Sequence, residues 1–397
     1  MATFDCITYN CNGIGENSKR SKIFTYLKEK ISRGVCFLQE THSVPTEETK
    51  WKSQWKGDIF FSHGTSNSTG VAIAFTDNLS FKVLKESKYE NGSFLILETL
   101  IGEKKFLFIN IYNANTENEQ LKVLDALSLQ IDNHNIEGDC FPIFGGDFNL
   151  FFDTALDCSG GNPCLKKKSL SKLSSILEKL DSTDIFRIRF PSLKRFTFFR
   201  KNPSIRRRLD YIFTANSLNE FINTVKVLPS FMSDHSPVFI NVKLDHTSDR
   251  GNYGWKFNNS LLKDESFTMK IKEHFVHLKR DLDNLNNPHL KWEYFKYEAR
   301  KFSIAYSKSK FQKESADKTY HEDIILRYAS TDNHPTDAEY ANKKEFVESY
   351  INKKTEGAIL RSKSVSYEYN EKSSKYFLNL EKREVSVTLC ESLLATI

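Results

Sequence analysis

The stretch Phe141-Pro142-Ile143-Phe144-Gly145-Gly146-Asp147-Phe148-Asn149 decides how the chain reads. A short apolar run of the kind a buried strand carries breaks at two glycines, and an acid and an amide two positions apart follow. Alternation along an extended chain puts Asp147 and Asn149 on one side and turns Phe148 into the core. The glycine pair lets the backbone bend or lets another group come close. A carboxylate and a carboxamide at a rigid strand end suit metal-assisted attack on a phosphate. A turn that merely closes a strand accounts for the nonamer equally well, so the rest of the chain has to choose.

Polar residues recur at strand ends elsewhere. Residues 4–9 alternate as a strand and stop at Asn10-Cys11-Asn12-Gly13. A helix is expected from Ser18 to Ile31, with Ile23, Tyr26, Leu27 and Ile31 as its apolar stripe and Gly34 ending it. Residues 35–38 then form a second strand that delivers Gln39-Glu40-Thr41-His42. Trp51 and Trp55 share one face of a short helix. Residues 59–61, 70–75, 81–84, 94–100 and 105–112 are five further strand candidates, the last ending in Asn110-Ile111-Tyr112-Asn113-Ala114-Asn115. An amphipathic helix over 117–131 precedes the nonamer. After it come a polar loop with Asp157, Gly160 and Gly161, then a helix over 169–180. Residues 196–199 and 209–213 read as strands flanking residues 200–208, five of whose nine residues are basic. Strands at 225–228 and 238–242 bracket Ser233-Asp234-His235-Ser236-Pro237. Many strands, few helices and polar strand ends predict an α+β fold: two packed sheets flanked by helices.

The chain has 397 residues and a formal charge of +6, which permits a polyanionic partner without proving one. Its length predicts two domains, or one domain with an extension. No run of 18 apolar residues is present, so no membrane partner is expected. The N-terminus lacks a basic start and an apolar signal core. Seven scattered cysteines without close pairing fit a reduced, intracellular compartment, nucleus or cytoplasm. From about Asp245 the texture turns helical, over 262–285, 292–316 and 338–362, dense in Lys and Glu. This divides the chain into a domain at 1–243 and a helical arm with little core of its own at 244–397. The apolar run 385–397 has nothing after it to pack against, which predicts a chain that stops partway through something larger.

Hydrolysing a phosphodiester needs a Lewis acid, a base for the attacking water and donors for the charge building on phosphorus. Glu40, Asp147, Asp210 and Asp234 offer the oxygen ligands that magnesium takes, with Asn12 and Asn149 as neutral supports. His235 can donate to a phosphate oxygen while a carboxylate orients it. Adjacent side chains diverge on an extended segment, so Asp147 or Asp210 can be that partner as readily as Asp234. Taken one by one these motifs are weak: Glu40 reads as a solvated edge residue, Ser233 to Ser236 as a turn, Tyr112 as a core aromatic and the basic stretch as a solvated hairpin tip. Their order and shared position carry the signal.

Asn12-Gly13, Gln39-Glu40-Thr41-His42, Ile111-Tyr112, Gly146-Asp147-Phe148-Asn149, Leu209-Asp210-Tyr211-Ile212 and Ser233-Asp234-His235 together resemble the endonuclease/exonuclease/phosphatase superfamily, over about residues 4–243. Glu40-Thr41-His42, the doubled Gly145-Gly146 and Thr197-Phe198-Phe199 look closest to the endonuclease of LINE-type non-LTR retrotransposons. Residues 255–262 and 373–381 resemble the segment that links such an endonuclease to a reverse transcriptase, whose core is absent from this sequence. The resemblance implies a four-layered α/β sandwich with Mg2+, or Mn2+ in its place, as cofactor. It implies an enzyme that nicks target DNA to leave a 3′-hydroxyl, as in target-primed reverse transcription. RNA would be a further partner through the full-length element protein. The same scaffold also serves apurinic/apyrimidinic endonucleases and exonuclease III-like repair nucleases, and an inactive nucleic-acid-binding relic is the reading from outside enzymology. Carried onto this chain, the family implies Glu40 as metal ligand with Asn12 beside it, and Asp147 to orient or deprotonate water. Asn149 would position Asp147 and the phosphate, Tyr112 and His235 would bind the scissile phosphate, and Asp210 and Asp234 would hold His235 and the metal network. Thr197 would touch the DNA backbone, and Arg200, Lys201, Arg206, Arg207 and Arg208 would lie against a groove.

Overall fold

The computed structural model describes residues 2–89, 91–134, 140–200, 204–244, 257–285, 287–328 and 337–369. Strands β1 (Ala2–Asn10) and β2 (Gly34–Gln39) are joined by α1 (Asn17–Lys30). Helix α2 (Glu48–Trp55) leads to β3 (Ile59–Ser62), β4 (Val71–Phe75), β5 (Lys82–Lys88), β6 (Phe94–Ile101) and β7 (Lys104–Tyr112). Helix α3 (Glu117–Asp132) crosses to β8 (Cys140–Asp147), followed by the short β9 (Cys158–Ser159) and α4 (Lys167–Lys179). Next come β10 (Ser182–Asp184), α5 (Ile185–Arg189), β11 (Phe198–Arg200), β12 (Ile205–Arg207), β13 (Asp210–Ala215), β14 (Ile222–Val227) and β15 (Val238–Leu244). Helices α6 (Glu265–Asp283), α7 (Pro288–Tyr328) and α8 (Asp337–Tyr369) complete the described chain.

Two six-stranded sheets form, ordered β14-β15-β1-β2-β4-β3 and β10-β13-β8-β7-β6-β5, with a small sheet β11-β12-β9 beside them. Each large sheet has one parallel pair at its centre, β1 with β2 and β7 with β8. A helix makes each crossover, α1 in one sheet and α3 in the other, because parallel neighbours need a long return. The inner strands β2, β4, β6, β7 and β8 are buried on both faces and read as nearly continuous apolar runs, whereas β14 and β15 alternate and the edge strand β5 is largely exposed. Along β7, Phe106 and Phe108 enter the core between the sheets, while Leu107, Ile109 and Ile111 face the layer that holds Leu124, Leu127, Leu173 and Ile176 of α3 and α4. Phe4 of the first sheet meets Phe106 of the second edge to face at 5.3 Å. On the outer face of the first sheet, Phe24 of α1 packs against Trp51 and Trp55 of α2. This is the helix-flanked pair of sheets expected from the sequence.

Three local expectations shift. The glycine pair does not break the strand, since β8 runs through it to Asp147. A Cβ on Gly146 would stand 2.1 Å from the Ile111 carbonyl oxygen of the neighbouring strand, whereas one on Gly145 would meet the more yielding Phe37 ring at 2.7 Å. Gly146→Ala is therefore expected to destabilise the protein by about 1–3 kcal/mol or more, and Gly145→Ala by less, in urea unfolding monitored by tryptophan fluorescence. Second, Gly34 opens β2 rather than ending α1, which closes at Ile31. Third, the basic stretch is partly strand, since β12 pairs with β11 and, on its other side, with β9. Lys201 lies outside the described residues, as do 255–256 and the stretches expected at 373–381 and 385–397.

The chain divides into two compact units, residues 1–347 and 348–397. In the first, α6 and α7 have a small aromatic core of their own: Phe267 meets Tyr306 at 5.1 Å, and His274 stacks on Phe302 at 4.9 Å. The far end of α7 pairs with α1, Lys30 Nζ lying 2.7 Å from Glu322 and Lys318 bonding to Glu29. The described part of the second unit is the C-terminal portion of α8. Among the described residues, no helix is long and apolar enough to cross a membrane.

Candidate active site

The ends of the central strands meet at one edge of the sandwich. Asn10 pairs in register with Gln39, Tyr112 with Asp147, and Asp147 with Asp210 across the antiparallel β8–β13 pair. An isolated bridge between Phe198 and His235 brings the loop before β15 to the same place. Carboxyl ends of parallel strands are where open α/β sheets gather their ligands, and both sheets contribute here.

Asn10, wholly buried, is the hub. Its Nδ2 donates to Glu40 Oε1 and to Asp147 Oδ2, each at 2.9 Å, and its Oδ1 accepts from the Asn12 backbone N–H at 3.0 Å. One amide thus holds two carboxylates together. Asp147 is 1% exposed, and its Oδ1 accepts from the Asn149 N–H at 3.0 Å. Burial raises its pKa, opposed by the His235 charge and by the bond from Asn10. His235 Nδ1 lies 2.8 Å from Asp210 Oδ2 and its Nε2 lies 3.8 Å from Asp147 Oδ2. Burial alone would discharge that imidazole, but the Asp210 and Asp147 carboxylates outweigh it and push its pKa up to about 10. Tyr112 is held as the neutral phenol, first by burial and then by the charges of Glu40 and Asp147.

Asn12 and Asp234 form the exposed side, with Asn12 Nδ2 donating to Asp234 Oδ1 at 3.1 Å. Asn12, Glu40 and Asn149 have φ of +47°, +47° and +48°. Left-handed backbone is tolerable for asparagine but costly for glutamate, and such strain persists only where surrounding structure enforces it. Asn149 donates its amide to the Asn113 carbonyl at 2.8 Å.

The expected DNA-facing set divides. Arg200 is exposed. Thr197 is 2% exposed, and its hydroxyl accepts from the backbone N–H groups of Leu209 and Asp210 at 3.0 and 3.1 Å. Arg206 is buried, its guanidinium over the Phe199 ring at 5.6 Å. Arg207 gives its donors to the carbonyls of Ser159, Gly160 and Arg206. Arg208 pairs with Asp184 at 2.7 Å and Asp157 at 3.2 Å, and covers Tyr211 at 4.3 Å. Arg207 and Arg208 are thus spent inside the protein. Arg208→Ala would take the guanidinium from the half-buried Asp184 and from Asp157, which keeps Arg187 at 2.6 Å, and is expected to cost about 1.5–3 kcal/mol in chemical denaturation.

Two residues escaped the sequence reading. Asn10 stands in the sequence only as the polar end of a strand, because its partners Glu40 and Asp147 come from other strands. Lys19 donates to the Asn12 carbonyl at 2.5 Å, and burial lowers its pKa against the pull of Cys11, Asp234 and Glu40. Nothing local to its helix marked it.

The donor set fits a divalent cation. Two carboxylates share one amide donor, which leaves like charges adjacent, and the buried Asp210 Oδ1 has no hydrogen-bond partner among the described residues. Asp147, Asp210 and His235 each bring a ligand atom within 4.8 Å of the others. The His235 Nδ1 is committed to Asp210, so the side best suited to a hard cation is the oxygen-rich one around Glu40 and Asp147.

Fold and site together define a member of the endonuclease/exonuclease/phosphatase family, to which the chain belongs: the model of the Endonuclease/Exonuclease/phosphatase family matches residues 7–235. Over 384 residues, 95% of its length, the chain is 26% identical to an uncharacterized 149 kDa protein of transposon TX1 from Xenopus laevis, of which it spans 29%. The resemblance to retroelement proteins read from the motifs is thereby borne out. Among solved structures, an AP endonuclease from Archaeoglobus fulgidus is 21% identical with a TM-score of 0.49, covering 61% of this chain and 100% of that one. The AP endonuclease LMAP from Leishmania major is 17% identical with a TM-score of 0.49, covering 61% and 88%.

Proposed function

We propose that the chain is a magnesium-dependent DNA endonuclease that nicks one strand to leave a 3′-hydroxyl and a 5′-phosphate, the end a reverse transcriptase can extend. The convergence of Glu40, Asp147, Asp210 and His235 around the buried Asn10 carries this reading. Glu40 and Asp147, with Asn12, Asn149 and Asp234 nearby, would hold Mg2+, with Mn2+ as the alternative ion. When bound, the ion supplies Lewis-acid stabilisation of the charge that builds on the phosphate oxygens. Asp147 accepts the proton of the attacking water, and the Asn149 backbone N–H fixes the rotamer from which it does so. His235, kept cationic by Asp210, donates to a phosphate oxygen, and the neutral Tyr112 hydroxyl is a second donor to the same group. Thr197 supports the start of β13, and with it Asp210, from behind. Among the described hairpin residues, the exposed Arg200 would meet a DNA backbone or groove.

Supercoiled plasmid incubated with the protein tests this. Mg2+-dependent conversion to open circles, abolished by chelation and leaving ends that a polymerase extends, is the expected result. Intact plasmid at all Mg2+ and Mn2+ concentrations would overturn it, and cleavage confined to an abasic duplex would move the assignment to a repair nuclease.

A further inference from the structure

Glu40 sits in a left-handed turn whose next side chains lead away from the site. Thr41 Oγ1 lies 3.0 Å from Ser43 Oγ, which lies 3.0 Å from His63 Nδ1, and His63 Nε2 lies 3.0 Å from Glu48 Oε1. Thr41 and Ser43 are buried, and the His63 ring stacks on Phe61 at 5.1 Å with 12° between planes. Glu48 takes the His63 Nε2–H, which leaves Nδ1 as the acceptor for the Ser43 hydroxyl and Ser43 as the acceptor for Thr41. One tautomer therefore satisfies the whole chain, with a direction running from the turn out to a surface carboxylate.

The opposite side of the turn is fixed by backbone alone. Gly13 N–H donates to the Glu40 carbonyl at 2.9 Å, Thr41 N–H to Gly70 at 3.0 Å and His42 N–H to Thr69 at 3.1 Å. Those bonds run through a turn with φ of +47° at Glu40 and +51° at His42, and the side-chain relay from Thr41 braces the same turn on its other face. From this geometry we infer that the Ser43–His63–Glu48 relay is a positioning device for Glu40. By holding Thr41 it keeps the turn strained, so that the Glu40 carboxylate is presented to the cation beside Asp147. The three residues bond to one another and to Thr41 rather than to Glu40, Asp147, Asp210 or His235. The inference rests on the metal-dependent reading above.

His63→Phe preserves the ring stack on Phe61 and severs the relay, while His63→Gln restores one donor and one acceptor. In the full chain, His63→Phe is expected to weaken Mn2+ binding, read directly by electron paramagnetic resonance, by about tenfold. It should raise the Mg2+ concentration for half-maximal nicking by a similar factor, with kcat at saturating Mg2+ unchanged. Ser43→Ala should do the same, and His63→Gln should recover most of the loss. If wild type binds Mn2+ and nicks, yet both severed variants bind Mn2+ as wild type does, the relay is merely structural and the inference falls. A kcat loss at saturating Mg2+ with an unmoved binding curve overturns it equally. A wild type that neither binds Mn2+ nor nicks overturns the functional reading itself.

Discussion

Asp147→Asn is expected to cut the single-turnover nicking rate roughly 10²–10⁴-fold while leaving DNA binding in place. Asparagine keeps the volume of the 1%-exposed side chain, so the core around Phe148 is undisturbed. What changes is hydrogen-bond polarity. Both carboxylate oxygens now accept, Oδ2 from the Asn10 amide and Oδ1 from the Asn149 N–H. An amide at 147 must turn its NH2 toward one of these donors, and it can neither accept a proton from water nor carry charge toward a cation. The raised pKa of the Asp147 carboxyl, caused by burial and moderated by His235 and Asn10, suits a base whose conjugate acid must not be too strong. Single-turnover nicking at saturating Mg2+, set beside filter binding of the same duplex, checks it. A rate within about threefold of wild type, on the scale of general-base effects, would remove Asp147 from the chemistry.

How far the site was legible in the sequence depends on what kind of contact made each part. Asp147, Asp210 and His235 were readable because strand ends punctuate an apolar run, and a polar residue there has few places to point. Asn10 was not, because its role exists only across sheets: the amide reaches Glu40 on β2's exit and Asp147 on β8, and no local pattern encodes that meeting. The glycine pair was legible as close approach, but the approaching groups, Ile111's carbonyl and the Phe37 ring, belong to another strand and another sheet. The basic stretch misleads for a related reason. Charge density at 206–208 looks like a surface, yet Asp157, Asp184 and the carbonyls of Ser159 and Gly160 wait for those guanidiniums in three dimensions. Helical spacing at 262–285 announced α6, but the aromatic pairing of Phe267 with Tyr306 and His274 with Phe302 needed the antiparallel return of α7 to be seen.

Asp210→Asn is the companion test, because Asp210 acts through His235. The imidazole Nδ1 is 2.8 Å from Asp210 Oδ2, and the neighbouring carboxylates raise its pKa to about 10 against the opposing effect of burial. A histidine raised in the folded state contributes stability that is fully present below its ordinary value of 6.5 and is lost as pH rises through about 10. The donor to phosphate follows the same window, so wild-type kcat/KM should hold from neutral pH into the alkaline range before falling. Replacing Asp210 by asparagine removes the nearer carboxylate and leaves Asp147, 3.8 Å from the other ring nitrogen, and the weaker pull of Asp234. The alkaline limb should then move toward neutral pH, and the rate at neutral pH should fall to the extent that the imidazolium is lost or turned away, up to the roughly 10²–10³-fold of losing one positioned donor to developing charge. His235→Ala should give that full loss and abolish the limb. The two lesions should not add, since both act through the same donor. Full pH–rate profiles of the single and double variants decide the matter: an alkaline limb unmoved in Asp210→Asn, or losses that multiply in the double variant, would mean that His235 does not reach the phosphate as a cation held by Asp210.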